Sequence, residues 1–182
     1  YCSAKANMNV ELTTDISAED LTIISELYLN SFPAEERRPW EAIASPAAGK
    51  RPELFAVIAD GRLAGMLTLW TFDRFAYVEH LAIDPSLRGR GVGSAAMRKL
   101  IEKTGRKPIV LEIEPPVAER PETVRRRDFY RALGFETIDT GYIQPPYTPD
   151  LPSVHLHLMA TTILPAGSTA RTLHSEVYGK KD

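Results

Sequence analysis

Apolar and polar residues alternate from Val10 to Thr14, which predicts a short strand with one face on a core. Ser17 follows, with Glu19 and Asp20 just behind it, a capping side chain and first-turn acids that predict a helix start. Leu21, Ile24, Leu27 and Tyr28 recur at three- and four-residue spacing and form its buried stripe. Phe32 and Pro33 break that helix, and a second short helix is expected to end near Ala44. Leu54 to Ile58 is an apolar run closed by Asp60-Gly61, a tight-turn pair that returns the chain as a partner strand, Leu63 to Phe72. Tyr77 to Ile83 is the next strand. Val92, Ala96 and Leu100, with Met97 and Ile101 beside them, mark a helix that runs to Lys103 and stops at Gly105. Ile109 to Ile113 reads as a buried strand, Thr123 to Leu133 as a helix with Gly134 just past its end, and Phe135 to Ile143 and Val154 to Thr162 as the last two strands. The Pro-rich piece from Gln144 to Pro152 joins those two strands as a loop. Residues 163–182 predict a polar tail with a marginal helix at most.

The predicted order is β-α-α-β-β-β-α-β-α-β-β, without an internal repeat or a linker, and 182 residues suffice for one domain with a full core. Residues 8–162 are expected to form that domain, with residues 1–7 as an N-terminal extension ahead of Met8. A net charge of −2 supplies no bulk field to attract nucleic acid. Cys2 is the single cysteine, so neither an internal disulfide nor a thiolate metal site is available. No apolar run approaches the ~20 residues of a membrane span, and the start of the chain lacks a signal-peptide pattern. Together these lead to the expectation of a cytoplasmic protein that works without membrane or nucleic acid.

The chemistry concentrates between Tyr77 and Ile101. Asp84-Pro85 stops the strand. Gly89, Gly91 and Gly93 then bring bare backbone N–H groups to a helix start, where unpaired donors and a partial positive charge form a seat for phosphate. Arg88 and Arg90 add formal charge there. A nucleoside-triphosphate loop would end in Gly-Lys-Ser/Thr, and this chain has Gly93-Ser-Ala instead. The stretch Gly91-Val-Gly93-Ser-Ala-Ala96 fits the dinucleotide fingerprint. Against that reading, Asp84 to Arg90 make too long a turn, and the fold opens with an antiparallel hairpin where a nicotinamide domain would run βαβ.

The spacing Arg88-x-x-Gly91-x-Gly93 after Leu-Ala-Ile-Asp-Pro resembles the acyl-CoA loop of the GCN5-related N-acetyltransferase (GNAT) superfamily. Phe129-Tyr130-Arg-Ala-Leu-Gly134-Phe135 resembles that family's second signature, and the two motifs stand in family order with one strand between them. Phe32-Pro-x-Glu-Glu-Arg37 and Gln144-Pro-Pro-Tyr147 resemble segments of a group of poorly characterised bacterial members. The resemblance covers residues 8–162. It implies an α/β (α+β) fold: a mixed, mostly antiparallel central sheet of about six to seven strands, splayed at the strand ending near Ile83 and flanked by about four helices.

The resemblance further implies an acetyl-CoA-dependent acyltransferase acting on a primary amine, a small molecule or a peptide, by direct attack in a ternary complex, and working as a monomer or homodimer. No cysteine stands where a covalent acyl carrier would be needed. Residues Leu81, Ala82 and Ile83 would pair with the pantetheine arm, and Arg88, Gly89, Arg90, Gly91, Val92, Gly93 and Ser94 would hold the pyrophosphate. Tyr130 matches the tyrosine that faces the CoA sulfur. Thr123 takes the place of an asparagine that often lies near the pantetheine. An alkylammonium has a pKa of ~10.4, so a base must take its proton. Glu112 and Glu79 are the candidates: an acid inside an apolar strand is costly without a purpose, and both positions carry carboxylates in some family members. Strand alternation would turn His80 away from Glu79. Phe32, Glu35, Glu36, Tyr142 and Tyr147 are the candidates for framing a cationic acceptor. His155 and His157 share a strand face but lack a third ligand, so no metal is expected. A rival reading with the same fold is a non-catalytic acyl-CoA-binding module.

Overall fold

The computed structural model describes residues 8–105 and 107–180. Residues 1–7, expected to be an extension, lie outside the described residues. The elements are β1 (Val10–Thr13), α1 (Ala18–Ser31), α2 (Glu41–Ala44), β2 (Glu53–Ala59), β3 (Arg62–Thr71), β4 (Ala76–Ile83), α3 (Val92–Lys103), β5 (Ile109–Ile113), α4 (Pro121–Arg131), β6 (Glu136–Gln144), β7 (Val154–Ala160) and α5 (Ala166–Glu176). One seven-stranded sheet runs β1-β2-β3-β4-β5-β7-β6. Every pairing is antiparallel except β4 with β5.

Helix starts follow the local chemistry. Ser17 accepts the Asp20 N–H at 3.0 Å and caps α1. Pro121 occupies the first turn of α4, where its missing N–H costs nothing, so α4 begins two residues before the predicted Thr123. Gly134 (φ +90°) ends the same helix, and Phe135 N–H reaches back to the Tyr130 carbonyl at 3.1 Å.

Alternation along the strands sorts side chains onto two faces. Phe55, Leu67, Leu69, Val78, Leu111 and Ile113 pack under α3 and α4, against Met97, Leu100 and Leu133. Ala56, Met66 and Ala82 pack against Ile24, Tyr28 and Ile43 of α1 and α2. Trp70, Tyr77, Val110, Tyr142 and Leu158 continue that second face and meet Leu173 of α5 and Val177 just beyond it.

Residues 163–180 therefore depart from the predicted tail. Thr169 and Leu173 of α5 are buried, as is Val177, and Ala170 packs beside them. The stripe is narrow and includes a threonine, whose hydroxyl donates to the Pro165 carbonyl at 2.9 Å, so hydropathy alone misses it.

Two irregularities shape the site. Strands β4 and β5 pair only from Ala76, Tyr77 and Val78 to Ile109, Val110 and Leu111, and beyond these they part. In the β3–β4 ladder Thr68 pairs with His80 but Leu69 pairs with Val78, leaving Glu79 as an extra residue. Such a bulge bends and twists its strand, and here it lies where the two strands separate. It also overrides the alternation expected around it. Glu79 contacts Arg38 and Trp70, His80 packs on Tyr28 and Phe32, and both side chains lie on the α1/α5 side.

Candidate active site

A groove of about 650 Å³ follows the gap between β4 and β5. One wall is Val78 to Ile83 and the other is Leu111 to Glu114. Its far end is the loop after β4 with the first turn of α3, and α4 contributes Arg125, Arg126, Phe129 and Tyr130. Leu81, Ala82 and Ile83 pair with β3 on one edge only, so their other edge faces the groove without a strand partner.

The loop end has the geometry of an anion seat. Gly89 (φ +73°) and Gly91 (φ +87°) both adopt left-handed backbone, which only glycine enters at little cost. Gly91 caps α3 without a side chain, which leaves the first-turn N–H groups of Val92, Gly93 and Ser94 open at the groove. Arg88 lines the groove too, with its Nε donating to the Ile83 carbonyl at 2.9 Å. Arg90 is exposed and outside the lining. Closer to the strands, Gly65 is required by contact rather than by φ: a Cβ there would lie 2.3 Å from the Ala82 carbonyl oxygen.

At the opposite end sit two buried carboxylates in contrasting surroundings. Glu79 Oε1 accepts from Arg38 Nε and Nη2, both at 3.0 Å, and from Tyr147 Oη at 2.8 Å, while Oε2 accepts from Trp70 Nε1 at 2.8 Å. Burial alone would raise this carboxyl, but the Arg38 cation and the donated hydrogen bonds outweigh it and hold Glu79 below its ordinary value. Arg38 is itself sandwiched, 5.2 Å from the Trp70 ring centroid and 5.1 Å from that of Tyr147.

Among the described residues, no cation pairs with Glu112. Its oxygens accept from Tyr178 Oη at 3.2 and 3.3 Å. The Tyr142 and Tyr77 hydroxyls favour its charged form from nearby, although Tyr142 Oη closes no hydrogen bond and Tyr77 Oη meets Tyr178 Oη at 3.4 Å. Burial dominates, the Glu79 charge adds to it, and Glu112 is pushed up to about 7. Two carboxylates with proton affinities driven apart by their surroundings can divide the labour of an acid–base site.

A strap crosses this end of the groove. His80 Nε2 donates to the Glu36 carbonyl at 2.9 Å, and Gln144 Nε2 donates to the Glu35 carbonyl at 3.1 Å. Thr68 Oγ1 accepts the His80 backbone N–H at 3.0 Å and faces Nδ1 at 3.4 Å, which leaves Nε2 as the protonated ring nitrogen. Burial lowers the proton affinity of His80 and keeps it neutral. Glu36 lines the groove, and burial, with Glu114 nearby, raises its carboxyl.

Most sequence-predicted residues converge on this groove: Glu79, Glu112, Tyr130, Leu81, Ala82, Ile83, Arg88, Gly89, Gly91, Val92, Gly93, Ser94, Phe32, Glu36 and Tyr147. Tyr130 packs edge-on against Phe129 and Phe135, and burial raises its hydroxyl to about 12. Four predicted residues are not brought in. Arg90 is one. Thr123 is buried beneath the loop before α4, where its hydroxyl donates to the Arg120 carbonyl at 2.7 Å and accepts Val117 N–H at 3.0 Å. Glu35 contributes its backbone carbonyl alone. Tyr142 belongs to the core under α5, because its place on β6 faces that helix. His155 and His157 meet edge-on with ring centroids 5.8 Å apart, and His155 Nε2 donates to the Thr140 carbonyl at 2.7 Å.

Arg38, Trp70, Tyr77 and Tyr178 escaped the sequence reading. The only signal for Arg38 was an arginine beside the acidic turn. Nothing local marks the other three, which lie 9, 2 and 99 residues from Glu79 in the chain.

The comparisons agree with this architecture. The model of the acetyltransferase (GNAT) family matches residues 21–135, so the chain belongs to the GNAT family. A solved structure described as "Putative acetyltransferase from GNAT family from Bacteroides thetaiotaomicron" is 32% identical, with a TM-score of 0.81 over 95% of this chain and 99% of that one. The curated relative "Putative acetyltransferase YjbC" of Bacillus subtilis is 37% identical over 65 residues, 36% of this chain and 33% of its own length, so the match spans a third of that relative. A Bacillus subtilis acetyltransferase solved in complex with CoA shares the fold at a TM-score of 0.55 and 17% identity, over 86% of this chain and 99% of that one. Among the described residues, no helix is long and apolar enough to cross a membrane.

Proposed function

We propose that this GNAT acetyltransferase uses acetyl-CoA as donor and a primary amine as acceptor, with the amine attacking the thioester directly in a ternary complex. The observation that carries the reading is a single groove with a phosphate-type helix start at one end and the Glu112 carboxylate at the other, joined by the open edge of β4. CoA bound to a structural neighbour supports the choice of donor. The pyrophosphate would lie on Arg88, Gly89 and Gly91 to Ser94, and the pantetheine along Leu81 to Ile83. Glu112 is the base we assign: a group near 7 is half deprotonated at neutral pH and suited to accept the amine proton. Glu79, held ionised by three donors, is the less available of the two.

Tyr130 is assigned to the CoA sulfur. With its hydroxyl at about 12 and a free thiol near 8.5, full proton transfer would run about 5 kcal/mol uphill. Tyr130 therefore serves as a hydrogen-bond donor that steadies the departing thiolate. Phe32, Glu36 and Tyr147 frame the acceptor.

Calorimetric titration with acetyl-CoA, followed by thiol release across a panel of polyamines, amino acids and peptides, tests the proposal. Binding plus thiol release with at least one amine is expected. No acetyl-CoA binding would overturn it, and binding without release for every amine would mark a non-catalytic acyl-CoA module.

A further inference from the structure

The segment that follows α5 lies beyond the residues matched by the family model, which end at 135, yet it touches Glu112 and Tyr147, two residues that line the groove. Arg38 Nη2 donates to the Val177 carbonyl at 2.7 Å, the same nitrogen that holds Glu79. Val177 is buried, and its amide bonds the Leu173 carbonyl at 2.9 Å, which fixes the exit of the chain from the helix. The next side chain, Tyr178, is thereby brought to Tyr147 and Glu112. Its ring packs on Tyr147 with centroids 5.1 Å apart, and its hydroxyl meets both oxygens of Glu112.

We infer that Tyr178 is a positioning residue for catalysis: delivered by the C-terminal segment, its hydroxyl fixes the Glu112 carboxylate at the gap and stabilises its charged, proton-accepting form. This rests on the assignment of Glu112 as base. Among the described residues, five groups face Glu112: Tyr77 and Glu79 from β4, Tyr142 from β6, Tyr147 from the loop after it, and Tyr178 from the end of α5. Glu79 is anionic and opposes ionisation of Glu112. Of the tyrosines, Tyr178 alone closes hydrogen bonds on Glu112. Its oxygen can also accept from Tyr77 Oη at 3.4 Å, forming a relay that ends on the carboxylate. An acidic site whose base is held only by phenols keeps its proton affinity near neutrality, which a cation in place of Tyr178 would abolish.

The test is a carboxyl-carbon NMR titration of Glu112 in protein labelled with 13C-glutamate, the resonance assigned by its loss in Glu112→Gln. It needs no acceptor and is independent of turnover. In Tyr178→Phe, which keeps the ring, the midpoint is expected to rise by about one pH unit, the size of one hydrogen bond to a charged group. Tyr77→Phe, which removes only the relay, should move it the same way by less. A Glu112 midpoint unchanged in Tyr178→Phe overturns the inference. Thiol release measured against pH separates the two assignments. If Glu112→Gln keeps the acid limb of the profile, Glu112 is not the base. If Glu112→Gln loses the limb while Tyr178→Phe leaves it in place, Tyr178 does not position it.

Discussion

Arg38 meets Glu79 through two nitrogens on one carboxylate oxygen, and neither side chain is open to water: 12% of Arg38 and none of Glu79 is exposed. The pair joins the turn after α1 to the bulge of β4, 41 residues away. Removing one member of a buried pair strands the other. Arg38→Met should therefore destabilise the protein by about 3–5 kcal/mol, and Arg38→Met/Glu79→Gln by less than Arg38→Met alone. Urea unfolding measures both. A single-variant cost below about 1 kcal/mol would equate the pair with a surface contact. Because Glu79 is held below its ordinary value, its contribution is present above its unfolded pKa and fades as pH falls through the folded one.

Glu112 carries the opposite sign. Its folded value of about 7 lies above the ordinary 4.5, so its contribution to stability is complete below 4.5 and is lost as pH rises through 7. Activity runs the other way, since a base works deprotonated. The kcat/KM profile should climb with an acid-limb midpoint of about 7, and Glu112→Gln should remove that limb and lower the rate by about 10²–10⁴. A profile flat from pH 5.5 to 8.5, each end roughly 1.5 units from that midpoint, would refute the role.

Gly91 has open space around it, so what a side chain would disturb is φ +87°. Gly91→Ala should weaken acetyl-CoA binding by about ten-fold, the equivalent of the 1–2 kcal/mol that left-handed backbone costs an L-residue. Calorimetry decides it, and unchanged affinity would remove the loop from the donor site.

Tyr130→Phe should bind acetyl-CoA as the parent does and turn over more slowly, by about 10-fold for one lost hydrogen bond to a developing charge. Paired binding and rate measurements separate the two effects. Equal rates would end its assignment to the sulfur.

Leu173 is fully buried beneath the sheet. Leu173→Ala is expected to cost about 2–5 kcal/mol, whereas a dispensable tail would tolerate the change. Thermal or urea unfolding reads the difference, and a cost under 0.5 kcal/mol, within the range of ordinary surface substitutions, would restore the boundary near residue 162.

The glycine-loop end of the groove was legible because its parts are neighbours in the chain. Arg88 to Ser94 need only a strand stop, glycines and a helix start, and each of these is a local preference. Glu112 and Glu79 stood out for a related reason, as charges inside apolar runs. The surroundings of those charges were not legible. Period-two alternation turned His80 away from Glu79, and the extra residue in β4 returned both to one side. Thr123 stands where the family often has an asparagine, yet its hydroxyl is consumed by the loop before α4.

By itself, then, the sequence determined the order of elements as far as β7, the phosphate-type loop and the presence of two strand carboxylates, since these follow from spacing and propensity along a few residues at a time. Only the tertiary structure decided which carboxylate is ionised and which stays near neutral. Proton affinity in a buried site depends on partners brought from afar: Arg38 and Trp70 to Glu79, Tyr178 to Glu112 across 66 residues. Those distances close only when α1 and α5 pack on one face of the sheet.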